Sequence, residues 1–118
     1  MKTNLVFFLL LIAIPAIAEE PGHWAEVNGH RMYYETIGSG WPLLLLHGGG
    51  NSIHGSFAKQ LAVFARTHAI IAPEQIGHGH TPYVDGPITY ARMAGDTAAL
   101  LEQLRLKVVD VVGWSDGG

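Results

Sequence analysis

The chain contains no cysteine. No disulfide, thiolate metal site or cysteine-borne lipid is open to it, so an exported form must be held by its core alone. Charge is sparse, at 14% of residues, with 7 Lys and Arg against 10 Asp and Glu for a formal −3. The basic residues form no cluster, which argues against nucleic acid as a partner. No Gly-Lys-Ser/Thr occurs for a phosphate loop. Gly48, Gly50 and Ile53 miss the last glycine of G-x-G-x-x-G. Nucleotide and dinucleotide binding are therefore not indicated, and no cofactor is expected. There is no internal repeat and no low-complexity stretch.

At 118 residues and 48% hydrophobic, the chain has room for one globular domain at most. Part of that apolarity belongs to the first eighteen residues. Lys2 gives a positive start, Leu5 to Ile14 an apolar stretch, and Ala16-Ile17-Ala18 an A-x-A site before Glu19-Glu20. This is the layout of a secretory signal peptide cleaved after Ala18. The rival, a membrane anchor, asks for a longer apolar run than this one. The expectation is residues 1–18 as signal peptide and 19–118 as the domain, with no stable membrane span after cleavage. In a bacterium the compartment would be periplasmic or extracellular. Loss of Lys2 takes the 7 basic residues to 6 against 10 acidic, and the formal charge from −3 to −4.

The stretch that organises the rest is Gly113-Trp114-Ser115-Asp116-Gly117. It follows Val108-Val109-Asp110-Val111-Val112, an apolar run that predicts a buried strand. G-x-S-x-G directly after a strand is the pattern of a nucleophile elbow. The turn must be so tight that the serine backbone is strained, which lifts its hydroxyl clear of the sheet. Side chains two residues before or after the serine would collide with the neighbouring strand and helix, hence the glycines. Upstream, Pro42 to Leu46 is a short apolar run bounded by Gly and Pro, as expected of a strand buried on both faces. It runs into His47-Gly48-Gly49-Gly50-Asn51-Ser52.

The remaining segments alternate. His23 to Ile37 reads as two strands around Asn28-Gly29, a strong hairpin signal. Arg31, Tyr33 and Glu35 alternate with Met32, Tyr34 and Thr36, predicting a strand wet on one face. A helix is expected from about His54 to Arg66, with Phe57, Leu61, Phe64 and Ala65 at helical spacing, and a strand over His68 to Pro73. Glu74 to Pro87 is rich in Gly, His and Pro and reads as loop. His78 and His80, with Glu74 and Asp85 nearby, match no familiar zinc spacing, so no metal is expected. Thr89 suits the N-cap of a helix from about Tyr90 to Leu106. Met93, Thr97, Leu100, Leu101 and Leu104 form its sheet-facing stripe, with Asp96 and Glu102 on the solvated face. The last strand is expected over Lys107 to Val112. This alternation implies a parallel sheet with right-handed crossovers.

In order along the chain, Val27-Asn28-Gly29 with Tyr33-Tyr34-Glu35, the strand into His47-Gly48-Gly49-Gly50, Ala72-Pro73-Glu74-Gln75-Ile76-Gly77-His78-Gly79 and Gly113-Trp114-Ser115-Asp116-Gly117-Gly118 resemble the N-terminal half of an α/β-hydrolase of the small esterase and lipase-like type. The family more often has Asp where Glu74 stands and Arg where Ile76 stands. The fold implied is α/β: an antiparallel hairpin leading into parallel strands with flanking helices, ending just after the elbow. The resemblance implies Ser115 as nucleophile on a small-molecule ester or other acyl substrate. It also implies an oxyanion hole from the N–H groups of Gly49 and Asp116, with Gly50 the next candidate for the loop donor. Close approach is the expected reason for the glycines there, since a Cβ would take the space of the substrate carbonyl. His47 would be structural in the oxyanion loop. An aspartate at position 115 would suggest a dehalogenase or epoxide hydrolase. The serine argues against both, but not against lactonase, amidase, aminopeptidase or cofactor-free haloperoxidase chemistry.

The family's order is nucleophile, acid, histidine, yet all 7 histidines here precede Ser115. The expectation is a partial sequence of a longer serine hydrolase, with this 118-residue piece nearly inactive and its last strand exposed at a sheet edge. The alternative is a non-catalytic member that keeps the fold as a binding module.

Overall fold

The computed structural model describes residues 21–118. The signal-peptide expectation for residues 1–18 lies outside them. Among the described residues, no helix is long and apolar enough to cross a membrane.

Strands β1 (Gly22–Val27) and β2 (His30–Ile37) pair antiparallel around Asn28-Gly29. Both turn residues have positive φ, 45° and 87°, the two-residue turn that matches strand twist. Strand β3 (Trp41–Leu46) follows. It is joined through helix α1 (Ile53–Phe64) to β4 (His68–Pro73), and β4 through helix α2 (Tyr90–Gln103) to β5 (Asp110–Gly113). The sheet runs β1-β2-β4-β3-β5, with β2 antiparallel to β4 and β3 parallel to both β4 and β5.

Alternation along β3 feeds two cores. Leu43 and Leu45 pack with Ile53, Phe57 and Leu61 of α1 and with Ile70 and Ala72 of β4. Leu44 turns to the other face, with Ile71, Met32, Val27 and Leu100 of α2. The helices therefore cover opposite faces, and a continuous apolar run is what such a central strand requires. From β3 the chain steps to β4 on one side, then crosses to β5 on the other. Strand order thus reverses at β3, and open α/β sheets bind ligands at the carboxyl ends of strands flanking such a reversal.

Helix α1 is capped by Ser52, whose hydroxyl accepts from the Gly55 N–H, and α2 by Thr89, as expected, which accepts from the Arg92 N–H. The expected end of α2 at Leu106 is corrected. Arg105 turns left-handed at φ 57°, and the Arg105 and Leu106 amides donate back to Glu102 and Leu101, closing the helix with a paired C-terminal motif. The expected strand from Lys107 accordingly shrinks to Asp110–Gly113. Nor is it buried: Val108 and Val111 are 66% and 56% exposed, because β5 pairs only with β3 among the described residues.

Two carboxylates expected at the surface are buried. Asp96 is 1% exposed and accepts from Asn28 Nδ2 and His30 Nε2, each at 2.8 Å, pinning α2 to the hairpin. Glu35 lies beneath α1, where it accepts from the Tyr33 hydroxyl at 3.1 Å and from His54 Nε2 at 3.0 Å. The wet-and-dry alternation expected of β2 breaks there.

Candidate active site

Two adjacent strand ends bring the sequence-predicted residues together. The Trp114 N–H donates to the Leu46 carbonyl at 3.0 Å, carrying the β3–β5 pairing one residue beyond the sheet. The chain then turns sharply. Ser115 has φ 54°, a conformation that costs a residue with a side chain about 1–2 kcal/mol. The turn closes as a short 3-10 segment over Ser115–Gly117, with Gly117 N–H donating to Trp114 O and Gly118 N–H to Ser115 O. Ser115 is exposed above it.

The glycines have separate physical reasons. A Cβ on Gly113 would run into the Gly117 carbonyl, and one on Gly117 into the carbonyls of Leu46 and His47. A Cβ on Gly48 would stand 3.1 Å from Trp114 Cδ1 and 3.6 Å from Ser115 Cβ. On Gly49 it would stand 3.2 Å from Asp116 Oδ2. Gly48 and Gly49 thus lie directly against the elbow. Gly50 differs, having open space around it but φ 65°, so its requirement is conformational.

The Gly48 N–H is spent on Ser56 Oγ at 3.1 Å. Among the described residues the Gly49 and Asp116 amides meet no acceptor. The Asp116 side chain is drawn aside, accepting from the Tyr90 hydroxyl at 2.5 Å. That bond to a carboxylate raises the Tyr90 pKa above the usual phenol value.

His47 is buried, and its partners define its state. Nε2 accepts from the Gln75 N–H at 2.9 Å, so the proton sits on Nδ1, which donates to the Gly48 carbonyl at 2.8 Å. Burial holds its pKa below the ordinary histidine value, partly opposed by the bond to Gly48. With its accepting nitrogen already occupied, His47 pins the loop after β3 to the loop after β4 and has no lone pair for Ser115. Among the described residues, no histidine or carboxylate hydrogen-bonds the Ser115 hydroxyl.

The loop after β4 opens buried, through Glu74, Gln75 and Ile76. Glu74 accepts from the backbone N–H and Nδ1 of His80, and Thr81 Oγ1 donates to its carbonyl. The His78 Nδ1 faces the Ile76 carbonyl at 2.9 Å. Among the described residues, no group of three or more His, Asp or Glu is arranged to hold a metal ion. Sequence reasoning passed over Ser56, Gln75 and Tyr90. Tyr90 alone left a signal: as the first residue after the Thr89 cap, it sits at the end of α2 that meets the elbow.

The alpha/beta hydrolase family model matches residues 43–118. A soluble epoxide hydrolase of Corynebacterium sp. strain C12 is 35% identical over 96 residues, covering 81% of this chain and 33% of that protein. Human serine hydrolase BPHL is 35% identical over 97 residues, covering 78% and 33%. Among solved structures, an epoxide hydrolase from Vigna radiata superposes with TM-score 0.75 at 28% identity, covering 81% of this chain and 32% of that one. The chain spans about a third of the length of the curated relatives it matches.

Proposed function

The chain belongs to the alpha/beta hydrolase family, and from that premise we propose that it is the nucleophile-bearing part of a serine hydrolase acting on small carboxylic esters or related acyl compounds. The observation that carries this is the strained Ser115, exposed at the end of β5 and flanked by glycines that admit no side chain. Its relatives include an epoxide hydrolase and a serine hydrolase, and residue 115 favours the latter chemistry.

Ser115 Oγ attacks the acyl carbonyl as its proton passes to a base, giving a tetrahedral intermediate. The Gly49 and Asp116 N–H groups stabilise the oxyanion. Gly48 is unsuited, because Ser56 occupies its N–H. The alcohol or other leaving group departs with a proton, and water then releases the acid from the acyl-serine. His47 does not supply the base, since Nε2 is already accepting. With no base at Ser115 among the described residues, the 118-residue chain alone should turn over esters orders of magnitude more slowly than a complete site. The same proposal places the protein outside the cytoplasm, on the strength of residues 1–18.

A fluorophosphonate probe tests the chemistry on the protein expressed from its full reading frame. The expected result is covalent labelling at Ser115, with p-nitrophenyl ester turnover lost in Ser115→Ala. Turnover that survives this substitution, or no labelling, would favour the binding-module alternative.

A further inference from the structure

The loop after β3 takes its shape from α1. A glycine left to itself is the least fixed residue in a chain, yet Gly48 is held on both sides. Its N–H donates to Ser56 Oγ at 3.1 Å, and its carbonyl accepts from His47 Nδ1 at 2.8 Å. The first bond orients the His47–Gly48 peptide plane and the second the Gly48–Gly49 plane. Together they set both backbone angles of Gly48. Among the described residues no peptide bond is cis, and in a planar trans peptide the C=O and N–H point opposite ways. With the Gly48 carbonyl turned to His47, the Gly49 N–H is directed away from that ring. Gly49 is also the residue whose added Cβ would meet the Asp116 side chain of the elbow.

Ser56 can hold the loop because its own place is fixed. Ile53 and Phe57 on either side of it are buried in the core. Ser52 caps the helix, and the Ser56 N–H donates to the Ser52 carbonyl at 3.1 Å. Serine is a weaker helix former than alanine, so helix stability does not account for it here. What the hydroxyl adds is its reach across to Gly48.

We propose that Ser56 is a positioning residue for the oxyanion hole, holding Gly48 so that the Gly49 N–H is aimed where the oxyanion forms at Ser115. The inference deepens the serine-hydrolase reading and rests on it. Without the hydroxyl the Gly48 N–H is unmatched and the loop is free to turn, which weakens the hole and leaves the nucleophile untouched.

The test uses the protein expressed from its full reading frame. The substrate is p-nitrophenyl butyrate, and the inhibitor an aryl trifluoromethyl ketone, whose serine adduct carries an oxyanion. Ser56→Ala should lower kcat about tenfold with little change in KM, less than the roughly 10²–10³ lost with a hole donor itself. Affinity for the ketone should fall by the same factor, since both report the oxyanion. Ser56→Thr, which keeps the hydroxyl, should restore most of both. Ser56→Cys, similar in shape but a weaker acceptor, should fall between, and it decides if the alanine variant fails to fold. A merely structural serine would lower the melting temperature of these variants and leave kcat and ketone affinity unchanged, which would overturn the proposal. If the fluorophosphonate probe labels Ser115 while kcat is indifferent to residue 56, this inference alone is lost. If the unmodified protein is not labelled, the hydrolase reading falls and this inference falls with it.

Discussion

Glycine at the elbow and in the loop facing it is required for different reasons at different positions, and the difference can be measured. At Gly113 and Gly117 an added methyl meets backbone carbonyls, which cannot swing away as the end of a side chain can. Gly113→Ala and Gly117→Ala should each cost at least about 3 kcal/mol, the upper end of ordinary overpacking. Gly50→Ala meets nothing within 4 Å and carries only the left-handed penalty of about 1–2 kcal/mol. Urea midpoints for the three variants check the order, and a Gly50 variant as damaging as the other two would contradict it. His47 gives a second residue-scale expectation. Burial lowers its folded-state pKa below the unfolded value, so between the two the unfolded chain binds the extra proton. Its contribution to stability is complete above about pH 6.5 and is lost as pH falls through the lowered folded value. Stability measured at pH 7.5 and pH 5 should therefore drop more in the unmodified chain than in His47→Asn, which has no ring to protonate. An equal drop in both would show that His47 does not contribute.

At the scale of elements, what was legible in the sequence was what local chemistry announces. Asn28-Gly29 named the hairpin, Thr89 the start of α2, the Leu43–Leu46 run a central strand, and Gly113 to Gly117 a turn around Ser115. Illegible were features whose cause lies far along the chain. Asp96 reads as a surface charge on α2 because its partners, Asn28 and His30, are 68 and 66 residues away. Glu35 reads as the wet face of a strand until His54 of α1 covers it. The end of α2 was missed because Arg105 takes the left-handed position where glycine would have marked it. Asp96 is the clearest test of how elements are tied. Asp96→Ala leaves the buried His30 ring without its acceptor, and Asn28 with it, and should cost about 3 kcal/mol, the scale for breaking a buried polar pair from one side. His30→Leu combined with Asp96→Leu should recover much of that loss, because no buried ring is then stranded and the exposed Asn28 amide can turn to water. A double variant no more stable than Asp96→Ala would mean that the helix–hairpin seam depends on charge and not on satisfied polarity.

The described molecule is a sheet with two unlike edges. At one, β1 turns out Trp24, partly screened by Arg31, whose guanidinium carbon lies 4.6 Å from the indole centroid. At the other, β5 offers unpaired backbone beside Val108, Val111 and Trp114, which are 66%, 56% and 59% exposed. Edges in stable sheets are blunted by charge, bulges or cover. Asp110 is the one charged residue in β5, at its start, so most of that strand lacks such protection. The 118-residue chain should therefore self-associate through β5, with a second chain's strand as the most available partner for its free N–H and C=O groups. Light scattering across a dilution series to roughly 100 μM should show mass rising with concentration, in the range where exposed strand edges associate. Val111→Lys places a charge on that edge without touching the elbow hydrogen bonds, and should hold the chain monomeric over the same range. If the unmodified chain stays monomeric throughout, or the lysine variant associates as readily, β5 is not the surface that brings chains together.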